Sequence, residues 1–149
     1  RDVERSRGLG DVYKRQVMEW IDRLAEELGH LVREAQRKGE YEEEIDETLI
    51  EDIEVRTERE WREVFEREVP SILKEVLEKA GLSCTLYHKK DDVPGFEYIA
   101  NCKTKDGRDV ALGFDVDYDP DVAEVRLQFV QAWRGKEWRP SQLVYYHKS

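Results

Sequence analysis

The stretch FEYIANCKTKDGRDVALGFDVDYDPD, Phe96 to Asp121, decides the fold. Two blocks of period-two alternation flank Asp106-Gly107, which is the pattern of a β-hairpin. In the first block Phe96, Tyr98, Ala100 and Cys102 alternate with Glu97, Ile99, Asn101 and Lys103. In the second, Val110, Leu112, Phe114 and Val116 alternate with Asp109, Ala111, Gly113, Asp115 and Asp117. A two-residue Asp106-Gly107 turn would pair Cys102 with Ala111 and set the apolar row of one strand on the polar face of the other. A three-residue loop, Lys105-Asp106-Gly107 with Gly107 left-handed, pairs Cys102 with Val110 and Ala100 with Leu112. It puts both apolar rows on one face, and a one-residue slip would reverse every side chain, so this register is predicted. Glu97, Asn101, Asp115 and Asp117 then share the far face and form the candidate site.

Outward from the hairpin, Leu82 to His88 reads as a strand, followed by a polar loop, Lys89 to Gly95, that contains Pro94. Leu143 to Tyr146 reads as a last strand after Pro140. Val122 to Trp133 fits two periods: Ala123, Val125, Leu127 and Phe129 alternate as in a strand, while Val122, Val125, Phe129, Val130 and Trp133 are spaced as in a helix. Upstream, Thr57 followed by Glu60 is a capping-box signature. It opens a helix with Trp61, Val64, Phe65, Val69, Ile72, Leu73, Val76, Leu77 and Ala80 on one face and Gly81 at its end. The stripe runs through Pro70, so one bent helix is predicted, laid across the sheet as the main core helix.

Met18, Ile21, Ala25, Leu28, Val32 and Ala35 recur at alternating spacings of three and four, an amphipathic helix stopped by Gly39. Its stripe either packs on its own domain or forms a homodimer seam through residues 18–35. Glu40 to Glu54 holds nine acids and no base. The thin stripe Tyr41, Ile45, Leu49, Ile50 and Ile53 predicts a short helix there, with a solvated acidic face or a surface for a basic partner. The expected fold class is α+β, with two or three N-terminal helices packed on a sheet centred on the 96–117 hairpin. One domain over 17–149 is expected, with 17–54 a helical, acidic extension and 57–149 the core.

Charged residues make up 40% and hydrophobic ones 39% of the 149 residues, and the apolar ones fall in periodic blocks, as in a folded domain. The net charge of −10 works against a phosphate backbone or an anionic membrane as partner. No run reaches the ~18 apolar residues of a membrane span. With no secretory pattern visible, a cytoplasmic location is expected, with Cys84 and Cys102 as reduced core residues. Arg1 to Gln16, RDVERSRGLGDVYKRQ, resembles the translated read-through of a sequencing-library adapter and is expected to be a non-native leader. Setting aside its five basic and three acidic residues leaves 20 Lys/Arg against 32 Asp/Glu, a net of −12.

Asp115 and Asp117, two residues apart on a strand, project to one side, with Glu97 expected close across the hairpin. Clustered carboxylates raise one another's pKa unless a hard cation or a base compensates, which makes a divalent metal the alternative to no cofactor at all. Asp115-x-Asp117-x-Asp119 also offers the alternating oxygens of an irregular calcium loop. An EF-hand is excluded, since Pro120 and Arg126 stand where that loop needs Gly and Glu. Towards the C-terminus, Arg134, Lys136 and Arg139 interleave with Trp133 and Trp138 in a pattern suited to single-stranded nucleic acid. The overall acidity opposes that partner.

The order helix, strand, strand-turn-strand and closing strand over Thr57 to His147 resembles the core of the PD-(D/E)xK nuclease superfamily. The helix ending at Gly81, the Pro94-Gly95 lead-in, the Asp106-Gly107 turn and Arg139-Pro140 before Leu143-Val144 carry the resemblance. It implies a further helix at 122–133 and a divalent metal held by an acid on one hairpin strand and an acid-x-lysine on the next. By position Asn101 stands at the first acid, Asp115 at the second, and Asp117 where the family has lysine. Asn ligates weakly, and an aspartate cannot supply the lysine's positive charge. The resemblance therefore implies a degenerate, non-catalytic interaction or regulatory domain, against the alternative of an active metal-dependent nuclease using Asp115 and Asp117.

Overall fold

The turn predicted between the two central strands is the one observed. The structure, a computed structural model, describes residues 2–50, 57–89, 95–119, 124–138 and 143–147. Strand β3 (Tyr98–Lys103) pairs antiparallel with β4 (Asp109–Asp119), with Cys102 opposite Val110 and Ala100 opposite Leu112. Thr104 N–H donates to the Arg108 carbonyl at 2.9 Å, closing a three-residue loop, and Gly107 adopts φ 83°. The Asp106 carboxylate accepts from the Arg108 guanidinium and the Thr104 hydroxyl, which hold its pKa down to about 2.

Around this hairpin the sheet has six antiparallel strands in the order β1-β5-β4-β3-β2-β6. They are β1 (Glu40–Ile50), β2 (Ser83–Lys89), β5 (Glu124–Arg134) and β6 (Leu143–His147) besides the central pair. One face is covered by helix α1 (Asp2–Lys38) and by a bent second helical segment. The α+β class and the central place of the hairpin are as expected. The main core helix is not the second segment alone: in α1, Ile21, Leu24, Leu28, Leu31 and Ala35 are buried against the same sheet face. Of the stripe offered above as a homodimer seam, Ile21, Ala25, Leu28, Val32 and Ala35 are buried within the domain, while Met18 is exposed.

The second segment opens at Thr57, whose hydroxyl accepts from the Glu60 N–H. It runs through α2 (Glu58–Glu63), a π-helical turn (Val64–Glu68) and α3 (Val69–Lys79). Pro70 lacks an N–H and its ring would meet the carbonyl four residues back. The π turn widens the helix ahead of it, and Val69 N–H reaches the Val64 carbonyl five residues earlier. The predicted single bent helix is thus observed, with Val69, Ile72, Leu73, Val76 and Leu77 on its buried side.

One sequence expectation is corrected and one open reading is decided. The acidic stretch 40–50 is an edge strand rather than a helix, so 17–54 is no separate extension (residues 51–54 lie outside the described set). Pairing with β5 is what makes it a strand, and Glu47 on its inner face is met by Arg23 of α1 in two contacts of 2.9 Å. The segment 124–134, whose spacing fits both helix and strand, is a strand hydrogen-bonded on both sides.

The cysteines are corrected as well. Cys84 and Cys102 are direct partners across β2 and β3, with Cα atoms 4.0 Å apart, and form a disulfide instead of two reduced core thiols. Facing positions of adjacent strands bring the two side chains into bonding reach once the register is set.

Two expected outcomes test this architecture. Gly107→Val should lower stability by about 1–2 kcal/mol more than Gly107→Asn, because only a β-branched side chain is strongly disfavoured at this left-handed φ. Equal urea midpoints for the two variants would contradict the loop. Reduction by a dithiol, or the double change Cys84→Ser/Cys102→Ser, should cost about 3 kcal/mol, as loss of a cross-link closing a loop of this length does. An unchanged midpoint would show that the pair is not bonded.

Candidate functional site

The sheet face turned away from the helices carries Asn101, Asp115 and Asp117 of the expected site residues, and the pairing registers arrange this face in rows. Asp115 of β4 lies beside Phe129 of β5, which lies beside Glu44 of β1. Gly113, Gln131 and Glu42 make the next row, and Ala111, Trp133 and Glu40 the one after. Acidic positions therefore run along β1 and at the far end of β4, with aromatic ones between them. A cavity of about 660 Å³ opens beside Phe129 and Gln128, lined by Glu42, Glu44 and Asp46.

Asp115 is partly buried. Burial first, then the charges of Asp117 and Glu97, raises its pKa. Glu97 turns its carboxylate elsewhere: Oε1 lies 2.8 Å from Nε2 of the buried His88, whose ring stacks on Tyr98 at 4.7 Å. Burial drives the Tyr98 phenol far above its usual range, with the charges of Glu97 and Glu66 adding to the effect. Asn101 is spent as well. Its amide donates to the Trp138 carbonyl at 3.0 Å and its oxygen accepts from the Trp138 N–H at 2.9 Å, which pins the segment after β5 onto the sheet. Asp117 is exposed and accepts from the N–H of Tyr118 at 2.9 Å.

The four expected ligands thus share a region without converging. Among the described residues, no three of His, Cys, Asp and Glu stand where they could hold a metal ion. Asp115 to Asp119 continues β4 and does not form a loop that could wrap a cation. At 124–134 the chain is a strand where the nuclease core carries its helix. The basic residues are also engaged. Arg134 donates to the Gln36 carbonyl at 2.8 Å, Arg126 is held by Asp46 and Glu124, and Lys136 lies over two tryptophan rings. Arg139 and Asp121 lie outside the described residues.

What the sequence reading missed is an aromatic cluster on this second face. Phe96, expected in the Tyr98 row, instead lies over the opposite face: the regular strand begins only at Tyr98, and the chain bends at Glu97, so the alternation does not extend back to it. Its ring occupies the space above Gly113, where an added Cβ would fall 2.6 Å from the ring. Phe129 and Trp133 meet it at 5.3 and 5.4 Å between centroids, and Trp138 meets Trp133 at 5.6 Å. A lone glycine among larger strand residues was the one available signal.

Comparison with protein-family models, with curated proteins and with solved structures finds no match. The fold defines an α+β domain built on an antiparallel meander, and the site defines an acidic and aromatic sheet face.

The raised pKa of Asp115 has a testable sign. A carboxyl whose folded pKa lies above its unfolded value favours the fold when protonated and opposes it when ionised. Its penalty is absent below the unfolded pKa of 3.8 and complete above the folded one. Asp115→Asn should therefore raise the denaturation midpoint at pH 7, with the advantage fading as pH falls through the folded pKa towards 3.8. A difference between variant and parent that stays constant over this range would show that the Asp115 charge carries no penalty.

Proposed function

We propose that this chain is a non-catalytic interaction domain that presents its open sheet face to a basic segment of a partner protein. The row Glu44, Phe129, Asp115 carries this conclusion: carboxylates flank a half-buried ring on the open sheet face. Such a row offers a Lys- or Arg-rich segment charge at its edges and apolar contact at its centre. The engagement of Asn101 and Glu97 in internal hydrogen bonds supports a structural use of positions that a metal-dependent nuclease would need as ligands. A net charge of −10 favours basic partners over nucleic acid.

Among the described residues no helix is long and apolar enough to cross a membrane. The Cys84–Cys102 disulfide supports an oxidising working compartment and removes the cysteine argument for the cytoplasm.

Binding of an oligolysine peptide tests the proposal. Saturable binding is expected, weakened by added salt and by Glu42→Gln/Glu44→Gln. Excess Mg²⁺, Mn²⁺ or Ca²⁺ should leave the melting temperature unchanged, since a cation bound only by the fold would raise it by mass action. A rise abolished by Asp115→Asn/Asp117→Asn, or metal-dependent cleavage of DNA or RNA lost in that variant, would replace this function with a metal site.

A further inference from the structure

The turn that follows β5 folds back over the open face. Gly135 adopts φ 69° and donates its N–H to the Asp109 carbonyl at 2.8 Å, and Asn101 then clamps the backbone of Trp138. The Trp133 and Trp138 rings meet at 68° and form a two-walled corner, with Phe96 edge-on behind Trp133. Lys136 Nζ sits in that corner, 4.6 Å from the Trp133 centroid and 4.1 Å from that of Trp138.

We propose that this corner is a binding site for an alkylammonium group, supplied by a lysine side chain of the partner, and that Lys136 is its internal occupant in the free protein. The proposal rests on the interaction-domain function above and names the chemical group that this face recognises. An ammonium over two indole faces is held by their quadrupoles, and tryptophan is the strongest of the aromatic partners for it. The backbone under each wall is held without the occupant: that of Trp133 by its place in β5 opposite the fully buried Ala111, and that of Trp138 by its two hydrogen bonds to Asn101. Lys136, by contrast, is exposed, so it can be displaced into water at little cost. Methylation of the incoming lysine should strengthen binding, because it keeps the charge and lowers the cost of leaving water.

The test uses the full chain and tetramethylammonium chloride, followed through the indole N–H resonances and matched against sodium chloride at equal ionic strength. Saturable shifts at Trp133 and Trp138 are expected. Lys136→Ala should bind about fivefold more tightly, since it removes the internal competitor. Trp138→Phe should weaken binding in both backgrounds. A folded Lys136→Ala protein without saturable shifts, or with shifts that sodium chloride reproduces, would overturn the site. A peptide carrying trimethyl-lysine should compete with tetramethylammonium. If tetramethylammonium binds and the peptide does not, the corner serves a small quaternary ammonium ion and the assignment to a protein lysine fails. Oligolysine binding that is unaffected by Trp138→Phe and by Lys136→Ala would sink the corner alone. Ammonium binding without any oligolysine binding would instead sink the wider interaction face.

Discussion

The register of the central hairpin is the constraint on which the rest of the structure depends. With three residues in the loop, Ala100, Cys102, Val110 and Leu112 all point at the helices, and the strands on either side inherit that choice through their own pairing. The same alternation turns Cys102 to the helix side, where the β2–β3 pairing sets it opposite Cys84, and turns Asn101 to the open face, where it clamps Trp138. A slip of one residue would bury Asn101 and send Cys102 to the open face.

Legibility in the sequence followed the periodicity. The hairpin, β2 and the helix from Thr57 each carry an uninterrupted pattern of period 2 or 3.6, and each was readable for that reason. Strand β1 was not, because Tyr41, Ile45 and Leu49 are four apart, a spacing that both a helix and every second inward position of a strand satisfy. The acid-rich composition then argued against a strand, and only the partner β5 decided it. Strand β5 was ambiguous for a different reason. Gln128 is an extra residue opposite β4, so the inward positions change parity between Leu127 and Val130. A bulge of this kind produces helix-like spacings within a strand.

The acidic pair Asp115 and Asp117 was visible because strand alternation alone places it. The partners of Glu97 and Asn101 were not. His88 and Trp138 reach them through tertiary contacts, the second across 37 residues of chain. Phe96 left its expected row because the chain bends at Glu97 ahead of β3 and a space lies above Gly113, both features of backbone shape rather than of hydrophobic pattern.

The run of glutamates on β1 has a consequence for how copies of this protein meet in solution. β1 is an outermost strand, and an outermost strand offers a ladder of open hydrogen-bonding groups to any chain that approaches it. A second copy docking there in antiparallel register would set Glu40, Glu42, Glu43 and Glu44 against an identical set, with like charges facing across the seam. The irregular pairing after Glu44 and the positive φ of Asp46 also bend the strand out of the straight form that stacking needs. The acidity of β1 thus guards the sheet against growing by addition of its own kind.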